Sequence, residues 1–162
     1  MEIIIFDRTS ELRKNKRELE EKLGVEINIR NKKVMIEGSP LDEYEASIIL
    51  SAINFGFTSR KALQLKEEAK IFRVLNIKSI SRKKNLEQVR ARIIGKEGKT
   101  KRTLENISNC DIVIKGNEIG VIADAESIEN TITGISNLVR GTKESNTYRY
   151  LEKMNARKKL EM

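Results

Sequence analysis

The chain has 162 residues, of which 38% are hydrophobic and 35% are charged, and its formal net charge is +8. One cysteine and no histidine exclude an internal disulfide and Ser-His-Asp or Cys-His catalysis, and they argue against a structural zinc site. No apolar run approaches the roughly 18 to 20 residues of a membrane span, and residues 1–6 are too short for a secretory signal. We therefore expect a cytoplasmic protein of one domain or two small ones, with no membrane segment.

The first part of the chain predicts the order strand, helix, strand, strand, helix, helix. These elements are a strand at 2–6, a helix at 11–22, strands at 26–30 and 33–37, and helices at 40–55 and from 58 or 59 to 65. Gly24 is a typical helix end. Ser39 followed by Pro40 predicts a helix start, because serine caps the first amides and proline suits the first helical position.

The second part predicts the same order with an additional helix before the repeat. Its elements are a strand at 71–77, a basic connector at 78–84, helices at 85–94 and 98–108, strands at 112–114 and 119–123, and helices at 124–140 and 145–157. Asn85 and Asp124 are expected to cap their helices, and Gly141 is expected to end the helix that Asp124 begins.

An offset of 85 residues aligns the two parts. Leu19 then matches Leu104, and Ile27 matches Ile112. Helix ends match as well, because Gly56 falls on Gly141. We interpret this agreement as an internal duplication of a strand–helix–strand–strand–helix unit.

Gly95 and Gly98 are separated by two residues and lie between two predicted helices. Glycine permits a positive φ and lets a ligand approach the main chain closely, because it has no Cβ. A helix that begins at Gly98 leaves its first amides unpaired, and its dipole attracts anions there. Four cations nevertheless crowd this positive end: Lys96, Lys99, Lys101 and Arg102. A phosphate is the simplest missing counter-charge, and a glycine-rich turn between helices is the alternative.

The basic charge of the chain is concentrated around this loop. Residues 78–102 hold ten basic and two acidic side chains, whereas residues 1–77 hold 14 and 13. Such a concentration is typical of a surface that binds a polyanion. A solvated helix face is the alternative, although such a face normally mixes both signs.

The segment Ile93 to Gly98 resembles the signature of KH domains, whose Gly-x-x-Gly loop clamps about four unpaired nucleotides. The element order in residues 70–140 is similar to that of a type I KH fold. Two blocks, Arg90 to Thr100 and Arg140-Gly141 followed by Tyr148 to Glu152, resemble the partner-of-Nob-one family of archaeal tandem-KH proteins of small ribosomal subunit assembly.

This resemblance implies an α+β fold of two tandem type I KH-like modules, each a three-stranded sheet packed by helices. Residues 1–66 would form a degenerate module, because Ser10 and Arg13 stand opposite the two glycines of the loop. Residues 67–162 would form the module that carries the Gly-x-x-Gly loop and a C-terminal helix.

The resemblance also implies binding of single-stranded RNA near the 3′ end of small-subunit ribosomal RNA, with no cofactor and no metal. Its implied protein partners are the endonuclease that matures this RNA and the alpha subunit of initiation factor two. The predicted RNA-binding residues are Arg90, Arg92, Ile94, Gly95, Lys96, Glu97, Gly98, Lys99, Thr100, Lys101, Arg102, Ile112 and Ile114.

These residues have different expected roles. The loop main chain approaches phosphates, the cations neutralise them, and Ile94 with Ile112 or Ile114 forms a floor for bases. Core packing is the alternative for Ile112 and Ile114, and simple solvation is the alternative for Arg90 and Arg92.

Two other functions stay open at this point. Residues 1–66 are nearly neutral and lack the loop, so they are suited to an adaptor that binds a protein partner. A general KH-type RNA binder is the other alternative. Catalysis is not predicted, because a nucleotide-hydrolysing loop needs four residues between its glycines and only two separate Gly95 from Gly98.

Overall fold

The computed structural model describes residues 1–67 and 69–161. The chain forms two compact units, Met1–Ala69 and Lys70–Met162. Each unit contains a three-stranded antiparallel sheet and helices, which confirms the predicted α+β fold class. The division between the units lies close to the proposed module boundary at residues 66 and 67.

The first unit has a sheet with β3 in the centre, paired with β1 and β2. Its elements are β1 (Glu2–Ile5), α1 (Ser10–Lys14), α2 (Lys16–Leu23), β2 (Glu26–Arg30), β3 (Lys33–Glu37), α3 (Pro40–Phe55) and α4 (Ser59–Glu67). The predicted cap of α3 is confirmed, because Ser39 Oγ accepts a hydrogen bond from Asp42 N at 3.2 Å.

The single helix predicted at 11–22 is wrong, because α1 and α2 are separate helices that meet at Asn15. Asn15 has a φ of −113° and a ψ of 14°, away from regular helical values. Its Nδ2 donates to the backbone oxygen of Glu11 at 2.9 Å. Asparagine side chains compete in this way with the hydrogen bonds of a helix, which explains the break.

The second unit has the same sheet order, with β6 in the centre between β4 and β5. Its elements are β4 (Lys70–Asn76), α5 (Ile77–Ile80), α6 (Leu86–Ile94), α7 (Lys99–Ser108), β5 (Asp111–Lys115), β6 (Glu118–Asp124), α8 (Ile128–Arg140) and α9 (Glu144–Glu161). A single 3-10 turn, Lys96–Gly98, joins α6 to α7.

Three predictions about this unit, two of them about helix caps and one about a connector, have different outcomes. The cap of α6 is confirmed, since Asn85 Oδ1 accepts from Gln88 N at 3.2 Å. The basic connector predicted at 78–84 begins within the short helix α5, whose first residue, Ile77, is buried in the core. Asp124 does not cap α8, because β6 extends far enough to pair this residue with Lys70 of β4.

The offset of 85 residues also relates details of the two structures. β2 falls on β5, and the helices before them both end on a left-handed residue, Gly24 and Asn109. A hydrogen bond is repeated too: Glu20 accepts from Ile27 N at 2.9 Å, and Glu105 accepts from Ile112 N at 3.0 Å. The duplication is therefore visible in backbone conformation and in side-chain contacts.

Helix α9 is part of the core of the second unit. Its Leu151 is buried and lies so close to Gly134 of α8 that a Cβ there would be 2.7 Å from Leu151 Cδ2. Asn155 Nδ2 donates to the carbonyl oxygen of Ile107 near the end of α7. The C-terminal helix thus contacts both helices that flank the sheet, and it stabilises the position of α7.

Candidate nucleic-acid interface

The backbone of the loop between α6 and α7 has a conformation that few residues other than glycine adopt. Positive φ values occur at Gly95 (76°), Glu97 (56°) and Gly98 (76°). The ψ of Gly95 is 175°, which places it in a region essentially restricted to glycine. Lys96 and Glu97 are exposed at the tip of the resulting turn.

Thr100 explains why a side chain does not fit at Gly95. A Cβ at Gly95 would lie 2.1 Å from Thr100 Oγ1 and 2.7 Å from Thr100 N. At Gly98 the nearest atom to a Cβ would be Arg102 Nη1, at 3.6 Å. The first glycine is therefore required for space and conformation, and the second for conformation alone.

The predicted residue Thr100 supports the loop from behind. Its side chain is 4% exposed, and its hydroxyl donates to Glu144 Oε1 at 3.3 Å. A phosphate cannot contact this hydroxyl without disrupting the bond to Glu144. We therefore assign the Thr100 side chain to positioning rather than to ligand contact.

The N-terminus of α7 carries more positive than negative side chains, although Glu97 and Glu144 lie beside it. Gly98 occupies the capping position, and no side chain accepts from the first amides. Lys96, Lys99 and Arg102 are exposed, and within the described part of the chain their side chains make no ion pair or hydrogen bond. Unpaired amides, the helix dipole and these cations together favour an anion such as phosphate.

The fourth predicted cation, Lys101, differs from these three. Its Nζ lies 3.3 Å from Oε1 of Glu105, one helical turn further along α7. The other oxygen of that carboxylate accepts from Ile112 N. Lys101 is therefore largely neutralised inside the unit, and its contribution to anion binding is smaller than the sequence predicts.

Arg90 and Arg92 are bound to backbone carbonyls rather than freely solvated. Arg90 Nη1 donates to Gly116 O at 3.3 Å, in the turn between β5 and β6. Arg92 donates from Nη1 to Leu138 O at 3.2 Å and from Nη2 to Thr142 O. The negative end of the α8 dipole favours a cation at this position. Both arginines therefore hold elements of the unit together, and simple solvation was the wrong alternative.

The three isoleucines proposed as a floor for bases lie in different environments. Ile94 is 38% exposed at the end of α6, beside the loop. Ile112 is 1% exposed and belongs to the core, while Ile114 is partly buried against that core. A base cannot reach Ile112 without displacing its neighbours, so we remove this residue from the proposed contacts and keep Ile94 and Ile114.

The described residues provide neither a metal site nor a membrane-spanning helix. Among residues 1–67 and 69–161, no group of three or more His, Cys, Asp or Glu side chains is arranged to hold a metal ion. No helix in these ranges is long and apolar enough to cross a membrane. Burial raises the pKa of the Cys110 thiol to about 12, with smaller contributions from Glu105 and Asp111. The neutral thiol is a poor nucleophile near pH 7.

Comparison with known proteins identifies the second unit. Residues 71–156 match the family model for the second KH domain of PNO1, described as a eukaryotic-type, or type I, KH domain. The match runs from β4 into α9 and covers more than half of the chain. The chain belongs to the PNO1 family of type I KH-domain proteins.

Two relatives extend the similarity into the first unit. A KH domain-containing protein of Methanocaldococcus jannaschii is 29% identical over an alignment of 145 residues, and the match covers 85% of this chain and 64% of that protein. The pre-rRNA-processing protein pno1 of Aspergillus fumigatus is 25% identical over an alignment of 147 residues, and the match covers 85% of this chain and 58% of that protein. The chain thus spans less than two thirds of the length of these relatives.

A solved structure shares the fold of nearly the whole chain. A chain in the crystal structure of the a/eIF2alpha–aDim2p–rRNA complex from Pyrococcus horikoshii OT3 matches with a TM-score of 0.85 and 29% identity. The match covers 96% of this chain and 93% of that chain. This likeness confirms the tandem KH-like architecture that the sequence predicts.

Sequence reasoning missed two acidic residues that shape the site of this PNO1-family chain. Glu105 neutralises Lys101, and Glu144 holds Thr100 behind the loop. The internal repeat could have pointed to Glu105, because the offset of 85 residues places Glu105 on Glu20. No sequence pattern points to Glu144, since its partner Thr100 is 44 residues away in the chain.

Proposed function

We propose that the chain is a non-catalytic RNA-binding protein of ribosome assembly, acting in the cytoplasm. Its second unit would bind single-stranded small-subunit ribosomal RNA near the 3′ end. The observation that carries the proposal is the uncapped start of α7, where Lys96, Lys99 and Arg102 are exposed and unpaired. Membership of the PNO1 family and the rRNA in the complex of the P. horikoshii relative support the choice of ligand.

The proposed mechanism is capture of the RNA backbone followed by packing of bases. The Gly95 to Lys99 main chain lets phosphates approach the α7 amides closely, because neither glycine carries a Cβ. The three unpaired cations neutralise those phosphates. Ile94 and Ile114 then provide apolar surface beside the captured backbone, on which the bases pack.

The salt dependence of binding tests this mechanism. Single strands lose affinity with a log–log slope of about −0.7 per phosphate neutralised, so three unpaired cations predict a slope of about −2. Lys99→Gln should reduce the magnitude of that slope by about 0.7. Lys153→Gln is the matched control, because Lys153 is exposed on α9 away from the loop.

Fluorescence anisotropy with a labelled single-stranded RNA at four or more salt concentrations gives these slopes. A slope near zero for the unmodified chain would contradict the electrostatic mechanism. Equal slopes for Lys99→Gln and Lys153→Gln would remove Lys99 from the phosphate contacts.

A second proposed function belongs to the first unit, as a docking surface for a protein partner. Leu41 and Tyr44 on α3 are 66% and 65% exposed, and Ile48 continues the same helix face. Large apolar side chains grouped on one helix face are typical of protein interaction sites. The alpha subunit of initiation factor two is the partner we propose, since its archaeal counterpart is in the complex of the relative; the rRNA-processing endonuclease is the alternative.

Replacing this apolar face should separate protein binding from RNA binding. Leu41→Ser with Tyr44→Ser, in the full chain, is expected to weaken binding of the initiation factor subunit at least about tenfold, since tyrosine is enriched at binding hot spots and both side chains are largely exposed. RNA affinity should not change. Arg17→Ser with Glu21→Ser on α2 is the matched control, because both residues are exposed and the net charge is preserved. Unchanged binding in calorimetry would exclude the α3 face.

A further inference from the structure

A cleft of about 180 Å³ lies between α6, α8 and the connector before α6. It is lined by Gln88, Val89 and Arg92 of α6, Val139 of α8, and Lys83 of the connector before α6. No carboxylate is among these residues. The cleft therefore combines an apolar wall with three side chains that can donate hydrogen bonds.

Two cations converge at one end of this cleft, near Gly141. The position that a Cβ would occupy at Gly141 is 3.7 Å from Arg92 Nη1 and 3.9 Å from Lys83 Nζ. Both nitrogens therefore lie near the same point, and a single small anion can contact both. The two positive charges repel each other, and an anion between them would offset that repulsion.

The side chains of Arg92, Lys83 and Gln88 keep N–H groups that have no hydrogen-bond acceptor among the described residues. Arg92 gives one N–H from each of its terminal nitrogens to Leu138 O and Thr142 O, and three of its five N–H groups are left. Among the described residues, the side chains of Lys83 and Gln88 make no hydrogen bond or ion pair. The main chain at Lys83 is fixed, since its amide donates to Ser81 Oγ at 3.1 Å.

The surroundings of the cleft extend its positive potential. Arg82, Lys84 and Arg140 are exposed and next in sequence to residues of the cleft or to Gly141. None of the three has an ion pair within residues 1–67 and 69–161. Arg92 is three residues before Gly95, about one turn of helix, so the cleft is close to the loop along α6.

We propose that this cleft is a second phosphate site, formed by Lys83, Gln88 and Arg92. It would hold a phosphodiester of the same RNA strand, outside the roughly four nucleotides that the loop clamps. This inference rests on the proposed RNA-binding function. The side chains of Lys83 and Gln88, which are not part of the Gly-x-x-Gly loop, would bind this phosphodiester. The remaining N–H groups of Arg92 would donate to it as well.

RNA length distinguishes the two sites in the full chain. Binding is measured for an RNA of about four nucleotides and for RNAs extended by three nucleotides on the 5′ or the 3′ side. We expect one extension to raise affinity. Lys83→Ala or Gln88→Ala should abolish that gain and leave the short RNA unaffected. For the extended RNA, Lys83→Ala should reduce the magnitude of the salt slope by about 0.7.

The control variant is Lys153→Ala, which should behave like the unmodified chain with every RNA. If neither extension raises affinity, or if Lys83→Ala equals the control, the second site is excluded although the loop still binds RNA. If the unmodified chain binds none of the RNAs, the proposed function itself has failed. If inorganic phosphate shifts the Gly141 amide resonance as strongly as the extended RNA does, the cleft binds free phosphate rather than RNA.

Discussion

Replacing both Lys96 and Glu97 with Asp is expected to weaken RNA binding at least about tenfold and to leave the fold intact. Lys96→Asp turns a positive charge into a negative one at the tip of the loop. A unit charge at about 4 Å is worth about 1 kcal/mol in water, and about 1.4 kcal/mol corresponds to a factor of ten. Glu97 has a positive φ, which Asp tolerates better than most residues. The loop conformation should therefore survive.

A matched pair on α9 controls for this change in charge. Glu152 and Lys153 are adjacent and exposed, and replacing both with Asp changes the net charge by the same amount. Gel-shift titration should show a loss of affinity for the loop variant only, and amide spectra should show both variants folded. Equal affinities for the two variants would mean that the loop does not bind RNA.

Gly95→Ala is expected to destabilise the second unit by about 3 kcal/mol or more, whereas Gly98→Ala should cost about 1 kcal/mol. Both alanines would have a φ of 76°, and sparsely populated backbone regions of this kind cost about 1 to 3 kcal/mol. Only at Gly95 does the new Cβ also collide with Thr100, and overpacking adds about 1 to 3 kcal/mol. The difference between the two variants therefore reports the contact with Thr100 together with the more restricted backbone region of Gly95.

Urea unfolding followed through amide resonances of the second unit gives both values without assuming that the two units unfold together. Adding Thr100→Ala should not rescue Gly95→Ala, because Thr100 Cβ and N would still lie 2.6 Å and 2.7 Å from the new Cβ. Equal destabilisation by the two glycine variants would show that the loop relaxes away from Thr100.

Local chemistry made several elements of this fold predictable. Ser39 and Asn85 cap their helices as expected, because a cap depends on a side chain and an amide three residues later. The break at Asn15 was missed because its side chain could also have pointed to solvent. Asp124 was assigned to a helix because the length of a strand depends on its partner, here the seven-residue β4.

The loop of the candidate site could be predicted from the sequence, whereas most contacts around the loop could not. Gly95, Gly98 and the adjoining cations are contiguous in sequence, so their proximity needed no tertiary information. The acceptors for Arg92 are 46 and 50 residues away in the chain, and no sequence pattern points to them. Alternation along β5 puts Ile112 and Ile114 on one face, but it does not tell which of them the helices cover.

The most direct test of the account is an amide NMR titration of the full chain with a short single-stranded RNA from the 3′ end of small-subunit ribosomal RNA. If the loop binds RNA, the largest amide chemical-shift changes are expected at residues 95–102, where the loop meets the first turn of α7. Saturable binding that leaves these amides unshifted and perturbs only the first unit would contradict it.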